Sequence, residues 1–187
     1  MALLFDPPPN EGALRQGELL ANVYINRPVA PAAAVRHEVD VAFEEHPLVV
    51  VMTSDCDLLH DFEARKPLAA LPRSPGDRRL VPQVLVCDVY TADQMRPRFA
   101  GRDIWRRAEQ NQDERYHSFK SAPIGAGPDS IPDIYLDFKL VFGVFTQGLY
   151  DAIDHGAIVR KAVIPPIYLH DLTHRFYGFL SRVALPE

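Results

Sequence analysis

The sequence predicts an α+β domain whose strands form a barrel-like or rolled sheet, followed by an amphipathic helix at the C-terminus. Much of the chain consists of short apolar runs separated by turn residues, which is typical of β-strands. The helical segments between these runs are short and do not alternate regularly with them, as they would in a doubly wound parallel sheet. Near the C-terminus, apolar residues recur at helical spacing instead.

Length and composition agree with one folded domain. The chain has 187 residues, of which 47% are hydrophobic and 24% are charged, as in an ordinary globular protein. Residues 7–9 are consecutive prolines, which lack N–H donors and favour an extended chain. We therefore expect a disordered, proline-rich tail over residues 1–13 and a single α+β domain over residues 14–187.

The strand predictions depend on the spacing of apolar residues. Residues 35–43 alternate apolar and polar side chains, the pattern of a half-buried strand. Residues 47–52 form a continuous apolar run bounded by Pro and Ser, which predicts a central strand buried on both faces. In chain order, the predicted strands are 17–25, 35–43, 47–52, 84–90, 115–120, 134–145 and 158–164.

The helix predictions depend on capping residues and on apolar stripes. Ser54, followed three residues later by Asp57, resembles a capping box that opens a short helix ending before Pro67. The proline-rich stretch 67–79 is predicted as a surface loop. Further helical segments are predicted at 91–94, 103–111 and 147–154. The C-terminal helix has an apolar stripe formed by Leu169, Leu172, Phe176, Phe179 and Leu180.

The net charge and the lengths of the apolar runs indicate which classes of partner the protein lacks. The formal net charge of -5 opposes the counterion release that drives non-specific nucleic-acid binding, so we predict no nucleic-acid partner. No run approaches the ~20 apolar residues of a membrane span, and the first ten residues lack signal-peptide features. We therefore expect a cytoplasmic protein without a membrane partner, whose two cysteines, Cys56 and Cys87, are thiols.

The densest polar cluster follows the predicted central strand. It consists of Ser54, Asp55, Cys56, Asp57 and His60. If Ser54 caps the helix, the helix dipole would lower the pKa of the Cys56 thiol, and His60 would lie one turn further on. The cluster could bind a small molecule or a metal, although no zinc or calcium spacing is present. Alternatively, Ser54 and Asp57 only cap the helix and Cys56 is a buried apolar residue.

Three strands in the first half of the chain resemble the PemK/MazF-like toxin family. The resemblance is carried by residues 17–20, by the strand 46–53 that ends in Thr53, and by the strand 84–91 that ends in Thr91. It implies an SH3-like barrel and endoribonuclease activity. His46 stands where the family has an arginine before the proline. The site residues implied for a ribonuclease are therefore His46, Thr53 and Thr91, with His46 as a general acid or base.

The function remains open between three classes. The altered arginine position and the lack of a phosphate loop, catalytic triad or cofactor motif favour a non-catalytic protein-interaction module, with a protein partner and no cofactor. The family resemblance, and a second resemblance to bacterial proteins with a Cys-Asp pair after a buried strand, imply a bacterial system of the toxin-antitoxin or phage-defence type. The alternatives are a degenerate PemK/MazF-like endoribonuclease and a small-molecule or metal-binding protein that uses residues 55–60.

Overall fold

A computed structural model describes residues 5–29, 40–66 and 78–182. The strands are β1 (Glu18–Val29), β2 (Asp40–Val51), β3 (Gln83–Thr91), β4 (Tyr116–Phe119), β5 (Ala122–Pro123), β6 (Ser130–Ile131), β7 (Ile134–Phe145) and β8 (Val159–Val163). The helices are α1 (Asp55–Arg65), α2 (Ala92–Met95), α3 (Arg102–Glu109), α4 (Thr146–Asp154) and α5 (Pro166–Leu180), with a 3-10 turn at Arg96–Arg98. The predicted α+β class is confirmed.

The strands form an antiparallel six-stranded sheet in the order β4-β7-β3-β2-β1-β8, and β5 pairs with β6 in a separate hairpin. The sheet ends at β4 on one side and at β8 on the other. No pairing joins these two edges within the described ranges, so the sheet is not closed into the barrel that the resemblance implied. A closed barrel requires hydrogen bonds between its first and last strands. Here the Asn111 side chain bonds to β4, and the backbone of Asp6 bonds to β8.

The predicted central strand is confirmed, but it is longer than expected. Its apolar run belongs to β2, which lies between β1 and β3 and alternates Val50 on one face with Val49 and Val51 on the other. Two separate apolar clusters cover the two faces, so the strand is buried on both sides. Residues 40–43 of the separately predicted strand belong to the same strand, which passes through Pro47 opposite Asn22, where the positive φ of 63° interrupts the regular pairing. A proline is tolerated at such an irregularity.

The C-terminal helix packs on one of these clusters, as predicted. Leu172, Phe176 and Phe179 of α5 are buried against β7, where Phe138 contacts both aromatic rings. Leu169 is partly buried. Leu180 differs from the prediction because it is 57% exposed. It lies at the last turn of the helix, beyond the edge of the cluster.

The N-terminal segment is held against the domain from Phe5 onwards. The Phe5 side chain is fully buried, and its ring lies 6.3 Å from that of Phe119. Asp6 exchanges two backbone hydrogen bonds of 2.9 Å with Val163 of β8. Phe5 and Asp6, which belong to the predicted tail of residues 1–13, therefore contact the folded domain.

Several predictions fall outside the described residues. These are residues 1–4 of the tail, residues 35–39 of the second predicted strand, residues 67–77 of the predicted loop, and the chain end from Val183. Among the described helices, none has both the length and the apolar composition needed to cross a membrane.

Candidate functional site

Ser54 begins helix α1 as its N-cap, as predicted. The Ser54 hydroxyl accepts a hydrogen bond from the Asp57 N–H at 3.4 Å and donates one to the Asp57 carboxylate at 2.7 Å. These bonds satisfy one of the free N–H groups of the first turn and place a negative charge near the positive end of the helix. Both side chains are thus engaged in capping.

The remaining residues of the polar cluster do not converge on a common point. The Asp55 carboxylate accepts the Gln16 N–H at 2.7 Å and so ties the helix start to the segment before β1. Cys56 and His60 are exposed. No hydrogen bond joins them, and no group of three or more His, Cys, Asp or Glu side chains is placed to hold a metal in the described part of the chain. The predicted burial of Cys56 is wrong, since its side chain points to solvent.

His46 lies in a buried polar network instead of facing solvent. Its side chain is 4% exposed, and its Nδ1 lies 2.5 Å from the Asp88 carboxylate. The other Asp88 oxygen accepts the Tyr90 hydroxyl at 3.0 Å. The imidazole also lies 4.3 Å from the Phe142 ring. With Nδ1 engaged by the Asp88 carboxylate, Nε2 is the ring nitrogen that remains for any further partner.

The free nitrogen of His46 is closed off from solvent. Nε2 is buried and has no hydrogen-bonding partner among the described residues. A general acid or base must reach the proton that it transfers, directly or through one water. In this conformation His46 therefore joins β2 to β3 and presents no reactive atom to a substrate.

The threonines implied by the resemblance lie at opposite ends of β3. The Thr53 hydroxyl accepts the Leu85 N–H at 2.7 Å, near the start of the strand. Thr91 is the last residue of the strand and caps helix α2 in a reciprocal capping box with Gln94. Six residues of extended chain separate Leu85 from Thr91, about 20 Å at the rise of a strand. The structure does not bring His46, Thr53 and Thr91 together.

Two buried ion pairs flank a cleft of about 450 Å³ that sequence reasoning missed. Arg65 donates to the Asp61 carboxylate at 2.6 and 2.8 Å and to the Gln147 amide oxygen at 3.0 Å. Arg160 donates to Glu18, which is fully buried, and to two backbone carbonyls before β1. These bonds fix both guanidinium groups in the cleft wall, and buried carboxylates neutralise their charges within the domain.

One of these two ion pairs could be predicted from the sequence, and the other could not. Asp61 and Arg65 stand four residues apart on α1, a spacing that is visible in the sequence as a helical ion pair. Glu18 and Arg160 are separated by 142 positions and meet only because β1 pairs with β8.

Comparison with known proteins adds no relative. No protein-family model matches the chain, and a search of curated proteins finds no match. The PemK/MazF-like resemblance therefore stays a prediction.

Proposed function

We propose that the protein is a non-catalytic protein-interaction module whose principal contact element is a β-ribbon formed by β1 and β2. The β1–β2 ribbon comprises residues 22–29 and 40–48. Within the described residues, β8 pairs only with residues 18–21 of β1, and β3 pairs only with residues 49–51 of β2. The two strands therefore continue beyond the sheet, and no third strand of the described ranges pairs with them on either side.

The observation that carries this proposal is the contrast between the sheet edges and the ribbon. On edge strand β4, the Asn111 amide accepts the Ser118 N–H at 2.6 Å and donates to the Ser118 carbonyl at 3.0 Å, in place of another strand. On edge strand β8, Asp6 occupies Val163 with two backbone bonds. Exposed strand edges invite pairing with other chains, and proteins usually block them. Among the described residues no strand pairs with the outer edges of the ribbon, and at its base His46 is joined to β3 through Asp88.

The ribbon also presents aromatic side chains to solvent. Tyr24 is 51% exposed and Phe43 is 77% exposed. Tyr24 stands opposite Glu45 and Phe43 stands opposite Asn26, so the two rings are diagonal neighbours on one face. Tyr24 also lines a groove of about 400 Å³ that includes Phe145, which is 65% exposed.

A protein partner bound to the ribbon would explain both its lack of a third strand among the described residues and its exposed aromatic side chains. A two-stranded ribbon of seven cross-strand pairs, from Val23 opposite His46 to Val29 opposite Asp40, extends about 20 Å and is only marginally stable by itself in water. Exposed aromatic residues on such a ribbon are typical of interaction surfaces. The setting of this module, a bacterial multi-protein system of the toxin-antitoxin or phage-defence type, and its likeness to SH3-like barrels remain predictions from the resemblance. Its cytoplasmic location remains a prediction from the sequence.

Site-specific photo-crosslinking tests the proposal. A benzophenone amino acid is placed at Phe43 in one variant and at Leu180 of α5 in another, and each is expressed in the source cell. We expect a discrete protein adduct from position 43 and none from position 180. Tyr24→Ser combined with a crosslinker at 43 should abolish the adduct, because the diagonal ring is lost. Equal adducts at both positions, or RNA cleavage by the purified protein that disappears in Thr91→Ala or His46→Ala, would refute the proposal.

A further inference from the structure

A second surface of the protein is positively charged, although the protein as a whole has a negative net charge. Residues 96–107 contain five arginines and one aspartate, a local charge of +4 in a chain of net charge -5. All five arginines are exposed, and they project from the 3-10 turn and from α3. We call this the arginine surface; its members are Arg96, Arg98, Arg102, Arg106 and Arg107.

Most of these guanidinium groups are available to a ligand. In the part of the chain that the structure describes, Arg96, Arg102 and Arg107 make no side-chain hydrogen bond or ion pair. Arg106 approaches Asp103 only at 3.9 Å, and both side chains are largely exposed. Arg98 lies 4.0 Å over the ring of Tyr90. Arg65 and Arg160 differ, because their guanidinium groups donate to carboxylates and carbonyls inside the fold. On the arginine surface Asp103 is the one acidic residue among five arginines, so most of the positive charge faces solvent.

An aromatic cluster holds the surface in place. The rings of Phe99 and Trp105 lie 5.5 Å apart, and each contacts a tyrosine of the sheet, Tyr116 at 4.9 Å and Tyr135 at 4.8 Å respectively. Between Arg96 and Arg102, the two rings line a shallow pocket of about 270 Å³. Arg96 and Arg102 therefore flank a small aromatic pocket whose walls are held by packing on the sheet. A site that is ordered before binding lowers the entropic cost of binding.

We propose that the arginine surface binds an acidic segment of a partner protein, and that one bulky apolar side chain of that segment fills the pocket. Guanidinium groups pair with carboxylates through two parallel hydrogen bonds, and Arg is preferred over Lys where such planar recognition is needed. The pocket is smaller than a site for a whole small-molecule ligand, but it is large enough for one side chain. Ile104, 45% exposed among the arginines, adds an apolar contact that suits a protein partner.

Nucleic acid fits this surface less well than a peptide. A long polyanion would extend beyond the arginines onto a protein of net charge -5, and the acidic residues Asp93 and Glu109 bound the arginine surface along the chain. A short acidic segment can end within the surface and meets no such repulsion. This site is separate from the β1–β2 ribbon, so it can hold while the ribbon proposal fails, and the reverse.

Fluorescence anisotropy with a synthetic peptide tests the inference on the full-length protein. The probe is a labelled peptide with one leucine between two runs of glutamates, and the matched probe has serine in place of leucine. We expect the leucine peptide to bind saturably and about tenfold more tightly than the serine peptide, with affinity that falls as salt is added. The double variant Arg96→Glu, Arg102→Glu should weaken binding about tenfold or more, because it removes both cations beside the pocket.

The control is the double variant Lys139→Glu, Lys161→Glu, which changes the net charge equally at two exposed lysines outside the surface. It should bind the leucine peptide like the unmodified protein. Far-UV circular dichroism of each variant establishes that the fold is retained. The inference is overturned if neither peptide binds saturably, if the control loses as much affinity as the arginine variant, or if the serine peptide binds equally well. Tighter binding of an oligouridylate that competes for Arg96 and Arg102 would also overturn it.

Discussion

Removing the Phe176 ring should reduce the stability of the whole domain. Phe176 is 2% exposed on α5, and its ring meets that of Phe138 edge-on at a centroid distance of 5.4 Å. Phe176→Ala removes nearly all of this buried apolar surface and leaves a cavity between the helix and β7. Substitutions of this type cost about 3–5 kcal/mol. For a chain of this length, that corresponds to a decrease in Tm of roughly 6–20 °C.

Urea denaturation followed by far-UV circular dichroism measures this loss, and the single tryptophan, Trp105, gives a second probe because it packs against Tyr135. Leu180→Ala on the same helix is the matched control, since Leu180 is 57% exposed and its removal should change stability by less than about 0.5 kcal/mol. If Phe176→Ala costs less than about 1 kcal/mol, the packing of α5 described above is incorrect.

Three other outcomes can be measured on buried groups and thiols. Asp61→Ala leaves Arg65 without its buried carboxylate and should cost about 3–5 kcal/mol in urea denaturation; a cost close to zero would refute the buried pair. Iodoacetamide should modify Cys56 but not Cys87 in the native protein, as mass spectrometry would show, because burial and two nearby aspartates raise the pKa of the Cys87 thiol. Burial, with a contribution from an arginine, lowers the pKa of His117 from 6.5 to about 3, so the unfolded chain takes up a proton first as pH falls. His117 therefore costs no stability above its unfolded pKa and about 2 kcal/mol at about pH 5. His117→Phe should remove that loss between about pH 7 and pH 5, and an unchanged pH dependence would contradict the buried neutral imidazole.

The elements that could be predicted from the sequence are those in which a short pattern of residues is compatible with only one local structure. The continuous apolar run of the central strand has to be covered on both faces, and β2 is covered on both. Ser54 with Asp57 offers two cap bonds at a helix start, and α1 begins there. The spacing of Leu172, Phe176 and Phe179 gives one apolar face that can only be buried by packing on the sheet.

The candidate site was predictable only in part. The Ser54 to His60 cluster lies at a helix start as expected, but side-chain direction around the helix left Cys56 and His60 in solvent. A single sequence does not show which face of a short polar helix is covered. Arg102, Arg106 and Arg107 stand close together in the sequence, but their aromatic support does not show there, because Trp105 and Tyr135 are far apart in the chain.

Sequence alone determined the α+β class, the central strand, the cap of α1 and the buried face of α5, since each depends on contacts or periodicities within about one turn or strand. Only the tertiary structure showed that the sheet stays open and that Phe5 is buried. It also placed His46 beside Asp88 inside the sheet. Thr53 and Thr91 lie at opposite ends of β3. The tertiary structure also brought Glu18 to Arg160, and among the described residues it left the β1–β2 ribbon without a third strand. These features depend on which strands pair and in which register. Paired strands can lie far apart in the chain, so no local sequence pattern shows which of them pair.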